Sequence, residues 1–147
     1  MDDFDFSIVR RTSPVCFNSQ CPSKDHCLRY LAGLHAPDGV EVHLCVMPKA
    51  IKGERCRMYQ KIQTVRVAYG FSRSFDALLK RDDTPIRKAL VKYLGCKRSY
   101  YWYLRGEKPL MPEQQAWIEN LFRQRGYEGG VIYDRMDDIY VLDSVAY

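Results

Sequence analysis

The chain has 147 residues, 46% hydrophobic and 28% charged, with 9 Gly and 7 Pro. This composition excludes the disordered and collagen-like classes, and the length suffices to bury a core without disulfides. The net charge of +5 is uneven, with −2 over residues 1–48, +11 over 49–125 and −4 over 126–147, and a basic middle is the footprint of a phosphate-backbone binder.

No apolar run approaches the roughly 18 residues of a membrane span. The acidic start, Met1-Asp2-Asp3-Phe4-Asp5-Phe6, lacks the basic-then-apolar pattern of a signal peptide. The expectation is a soluble cytoplasmic protein with no membrane partner. His26 to His35 reads as a short helix with Leu28, Leu31 and Leu34 on one face. Ala36-Pro37-Asp38-Gly39 is a turn. Val40, Val42, Leu44 and Val46 alternate with Glu41, His43 and Cys45, the pattern of one half-buried strand, which Pro48 ends. Met58 to about Leu79 reads as helix on a stripe of Met58, Ile62, Val65 and Tyr69, although Val65-Arg66-Val67 also alternates as a strand does.

Thr84-Pro85 has the N-cap and first-turn chemistry of a helix start. Its stripe is Ile86, Leu90, Tyr93 and Leu94, and Gly95 is suited to cap its end. A short helix over Lys97 to Leu104 ends at Arg105-Gly106, and another runs from Pro112 to Phe122 with Trp117, Ile118, Leu121 and Phe122 toward the core. Beyond Gly129-Gly130, two short apolar runs, 131–133 and 139–142, are spaced for a small hairpin.

The six cysteines are Cys16, Cys21, Cys27, Cys45, Cys56 and Cys96. Three of them within twelve residues, without an export signal, point to thiolate ligands rather than disulfides. Thiolate selects zinc or an iron–sulfur cluster. There is no C-x2-C knuckle, and the x4 and x5 spacings are closer to iron–sulfur loops, so zinc and iron–sulfur both stand. Cys16, Cys21 and Cys27 converge from one loop. Cys56 is the favoured fourth ligand because Arg55 and Arg57 flank it and favour thiolate. Cys45 is the reserve, and Cys96, between two helices, reads as core. The three histidines read as surface or structural.

The stretch Ile86 to Phe122 resembles the helix–turn–helix of phage-repressor-like proteins, carried by Leu94, Gly95, Cys96, Arg105, Gly106, Pro112 and Ile118. From Leu94 to Gly106 it is one residue shorter than that motif, so its second helix must end earlier. The resemblance implies that Tyr101 and Leu104 face the core while Arg98, Ser99, Trp102 and Arg105 face out. Lys97 and Arg98 then lie at the end of the helix that reaches base edges. The run Tyr100-Tyr101-Trp102-Tyr103 offers a second use, stacking on single-stranded bases.

The whole chain also resembles a small uncharacterised family of bacterial, mostly gut-commensal, proteins. The resemblance rests on CFNSQCPSKDHCLRYLAGLHAP (Cys16 to Pro37), Met47-Pro48-Lys49, Gly53 to Tyr59 and PLMPEQQAWIENLFRQRG (Pro109 to Gly126). It implies a ligand set of Cys16, Cys21, Cys27 and Cys56, leaves Cys45 and Cys96 outside it, and supplies no activity. An anaerobic habitat favours an iron–sulfur cluster.

No enzyme signature is present: there is no phosphate-cradling glycine loop, no H-E-x-x-H and no G-x-S-x-G. The expected fold is mainly α. A Cys-rich metal module with a short strand or hairpin (1–57) packs on a helical bundle of helix–turn–helix type (58–126), followed by an acidic tail or small hairpin (127–147). The expected function is a non-enzymatic, metal-containing nucleic-acid-binding protein with DNA favoured, its basic face running over Lys88, Lys92, Lys97, Arg98 and Arg105. The alternative is a metal-stabilised protein-interaction module that uses exposed aromatics and the acidic tail.

Overall fold

The computed structural model describes residues 4–145. The chain is divided into two compact units, one of residues 1–64 with 140–147 and one of residues 65–139. The architecture is α/β rather than mainly α. Among the described residues, four helices, α1 (Leu28–Leu34), α2 (Lys80–Tyr93), α3 (Lys97–Leu104) and α4 (Pro112–Gln124), accompany two two-stranded sheets, β1–β2 (Ile51–Lys52, Arg55–Cys56) and β3–β4 (Thr64–Tyr69, Arg135–Tyr140).

The first unit has little regular structure, and single bridges hold its loops together. Val15 bridges Cys45 in parallel, and Cys27 bridges Lys61 in antiparallel fashion. The core joins Phe4, Val15, Leu28, Ala32 and Leu142. Helix α1 is shorter than expected and buries Leu28 and Ala32 one turn apart, whereas Leu34 is 64% exposed. The expected strand over 40–46 does not form. Cys45 alone finds a bridging partner there, and Val42 is 91% exposed, because alternation without a neighbour to take its backbone bonds cannot make a ladder. The hairpin β1–β2 turns at Gly53, whose φ of +66° suits a tight two-residue turn. The segment after β4 returns to this unit: Gln60 donates to the Val141 carbonyl, Val145 N–H donates to the Thr12 carbonyl, and Ser13 Oγ donates to the Leu142 carbonyl. The last stretch is thus shared between the two units rather than standing as a separate tail.

In the second unit the expected helix over 58–79 is replaced by strand β3 and a 3-10 turn, Ser72–Phe75. Thr64, Val65, Val67 and Tyr69 are residues that fit a pleated, half-buried surface, and tertiary pairing overrides the helical stripe. Strands β3 and β4 run antiparallel: Asp134 N–H bonds the Tyr69 carbonyl at one end, and Arg66 meets Asp138 toward the other. On the other side of β3, Ala68 exchanges both backbone bonds with Leu110. Helix α2 begins at Lys80, four residues before the expected cap, and Pro85 lies inside it. Asp82 and Asp83 in its first turn suit the positive end of the helix dipole. Gly95, at φ +106°, turns the chain from α2 into α3. The core gathers Phe71, Phe75, Ile86, Leu90, Tyr100, Leu104, Leu110, Ile118 and Phe122 among others.

Candidate functional site

Cys16, Cys21, Cys27 and Cys56 line one cavity of about 20 Å³ in the first unit. Each arrives on a different piece of local structure. Cys16 follows the Val15 bridge, and its N–H donates to the Arg29 carbonyl 2.9 Å away. Cys21 sits in the loop opened by the Asn18 turn, where Asn18 Oδ1 accepts from Gln20 N–H. Cys27 is the residue before α1, and Cys56 ends β2. Cys27 is buried and the other three are half-buried. Cys45 and Cys96 are exposed and do not line the cavity.

Asn18 N–H points at Cys16 Sγ, 3.5 Å away. Backbone donors of this kind stabilise thiolate sulfur. Burial pushes the Cys16 thiol up from its ordinary value, with Cys27, Cys21 and Cys56 adding to the rise as nearby negative charges. Cys16 thus stands within electrostatic reach of the other three sulfurs. As the side chains lie, no group of three or more His, Cys, Asp or Glu among the described residues is close enough to share one metal ion. The metal-module part of the expected fold is corrected accordingly. The thiols face one space without being drawn together.

Two cations border that space, Lys24 and Arg29. Arg29 is 5% exposed, and its guanidinium holds the carbonyls of Met58 at 2.7 Å, Pro14 at 2.9 Å and Asp143 at 3.1 Å. It staples three segments around the cavity, a role the sequence signalled only as one Arg inside a short apolar helix. Gly33 is the second residue that sequence reasoning missed. A Cβ there would press into the Cys16 carbonyl, so only glycine lets α1 lie against the Cys16 loop.

The histidines stay outside the cavity. His43 Nδ1 donates to the Leu44 carbonyl at 2.9 Å, while its buried Nε2 has no partner among the described residues.

In the second unit the residues expected to meet nucleic acid lie on α3. Lys97, Arg98 and Arg105 are exposed, and Ser99 and Trp102 are half-buried. The Arg98 guanidinium lies 5.1 Å from the Trp102 ring centre and the Lys108 ammonium 4.0 Å from it. Tyr101 is not in the core. It is 43% exposed, and Tyr100, 2% exposed, takes the inward place. The Tyr100 hydroxyl accepts from Arg87 Nη1 at 3.2 Å, which satisfies the polar end of a buried ring. Burial raises the Tyr100 pKa and the Arg87 charge opposes the rise. Cys96, expected in the core, is instead the exposed residue that opens α3. Its Sγ lies 3.6 Å from Ser99 Oγ, and hydrogen bonding from Ser99 lowers its thiol pKa.

A family of unknown function, DUF6078, matches residues 1–142. The chain belongs to that family. The match takes in all six cysteines and the helices α1 to α4, and brings no activity with it. No curated protein and no solved structure matches significantly, so the helix–turn–helix resemblance gains no structural relative. No helix among the described residues is long and apolar enough to cross a membrane.

Proposed function

We propose that this DUF6078 protein is a non-enzymatic, metal-stabilised nucleic-acid-binding protein. The observation that carries the metal half is the convergence of Cys16, Cys21, Cys27 and Cys56 on one cavity. Four thiolates around a divalent ion leave a net charge of about −2, and Lys24 and Arg29 at the cavity edge are placed to balance it. The cavity is small, about 20 Å³. A small cavity walled by four thiols suits a single tetrahedral ion, and zinc is the ion that such a Cys₄ set holds alone. The ion supplies the attraction that closes the thiols on a common centre, and its binding energy then stabilises the fold.

The nucleic-acid half rests on α3. Lys97 and Arg98 have no ion-pair partner among the described residues, and Arg105 has only a loose one, Glu107 at 3.9 Å. Two unpaired cations and a third with a loose partner, on α3 and at its C-terminal cap, fit phosphate contact, with DNA the favoured polymer. Binding of a fluorescent DNA duplex across salt concentrations tests this. Three phosphate contacts give a log–log slope of about −2.7, or about 40-fold weaker binding between 50 and 200 mM salt. Arg98→Ala reduces the slope by about one. Salt-insensitive capture of a protein instead would support the interaction-module reading. Phe17 and Met47, each 59% exposed, favour that reading.

A further inference from the structure

A cleft of about 280 Å³ opens between α2 and α3, lined by Thr84, Arg87, Lys88, Val91, Lys97, Tyr100 and Tyr101. Its lining holds three cations and no acid. Arg87 is fixed in place by Asp83 from one side and the Tyr100 hydroxyl from the other. Lys88 and Lys97 are exposed and enter no ion pair among the described residues, so each keeps its ammonium donors for a ligand. The remaining wall is Thr84, Val91 and the tyrosine rings, with Tyr101 the exposed one of the two. The volume falls just under the roughly 300–1,000 Å³ typical of small-ligand pockets.

We infer that this cleft binds a single nucleotide, with its phosphate between Lys88 and Lys97 and its base against Tyr101. A bare phosphate would leave the apolar wall unused, and an uncharged aromatic would leave the cations unused. Stacking on an aromatic side chain tolerates any base, since every base has a π face. The inference goes beyond the α3 reading but adjoins it: Lys97 belongs to both, Lys88 to the same basic face, and the Arg105 guanidinium lies 5.2 Å from the Tyr101 ring centre. A free mononucleotide and one nucleotide of a single strand present the same chemistry.

Calorimetric titration of the full chain with adenosine monophosphate, adenosine, inorganic phosphate and a 5′-phosphorylated ten-residue thymidine oligonucleotide tests it. Adenosine monophosphate is expected to bind at least tenfold more tightly than adenosine or phosphate alone. The double variant K88Q/K97Q should weaken it at least tenfold, and Tyr101→Ala about fivefold. Lys52→Gln, an exposed position on β1 outside the cleft, should leave it unchanged. An oligonucleotide binding tenfold more tightly than the mononucleotide identifies a strand as the source. Equal affinities identify the free nucleotide, and either result supports the cleft. No binding of mononucleotide or oligonucleotide, or binding that K88Q/K97Q leaves intact, overturns it. Failure of duplex binding with mononucleotide binding retained removes only the α3 reading.

Discussion

Gly33 shows how single residues set the geometry around the cysteines. Its missing Cβ lets α1 lie on the Cys16 loop, so Gly33→Ala forces one of them to move. Overpacking of this kind costs about 1–3 kcal/mol, and a denaturant midpoint unchanged by Gly33→Ala would show that the loop yields freely. The cysteines separate in the same way. If the proposed metal is bound, Cys21→Ser loses it, while Cys96→Ala, at an exposed position, keeps it and leaves stability within about 0.5 kcal/mol. Full metal occupancy after Cys21→Ser would remove Cys21 from the ligand set. The clustering of cysteines was readable in the sequence because shared spacing is a local property. The exposure of Cys96 was not, since whether a turn between helices is covered depends on what packs over it.

At the scale of elements, α3 has the bounds its sequence announced, Lys97–Leu104, because Gly95 and Gly106 punctuate it and both adopt positive φ. Its rotation was less legible. Tyr100 and Tyr101 stand four and three residues before Leu104, and either spacing shares its face. Arg87 decides between them by offering a donor to the Tyr100 hydroxyl. Tyr100→Ala should therefore cost about 3 kcal/mol or more, against about 0.5 kcal/mol for Tyr101→Ala. Thermal unfolding of the two variants checks the difference, and equal losses would mean that α3 is rotated. The segment 64–69 was misread as helix for a different reason. Its stripe fits a 3.6-residue period as well as a strand's alternation, and the backbone bonds from Leu110 on one side and β4 on the other select the strand. Those partners lie more than forty residues away in sequence, out of reach of any local pattern.

For the whole molecule, the charge asymmetry seen in the sequence is partly absorbed within the fold. Arg66 pairs with Asp138 and Arg73 with Asp134, so acids of the last stretch neutralise cations of the basic middle. Exposed pairs of this kind contribute about 0–1 kcal/mol each, and they leave Lys97 and Arg98 of α3 without an ion-pair partner among the described residues. The metal reading joins the local and global scales, since one ion would fasten loops that otherwise hold only isolated bridges and a small core. The most direct test is the metal content of the full chain purified without oxygen, by elemental analysis with a visible absorption spectrum. About one zinc per chain and no colour is the expected result. Metal-free protein that is fully folded, or iron with sulfide and a brown colour, would contradict a single ion held by Cys16, Cys21, Cys27 and Cys56.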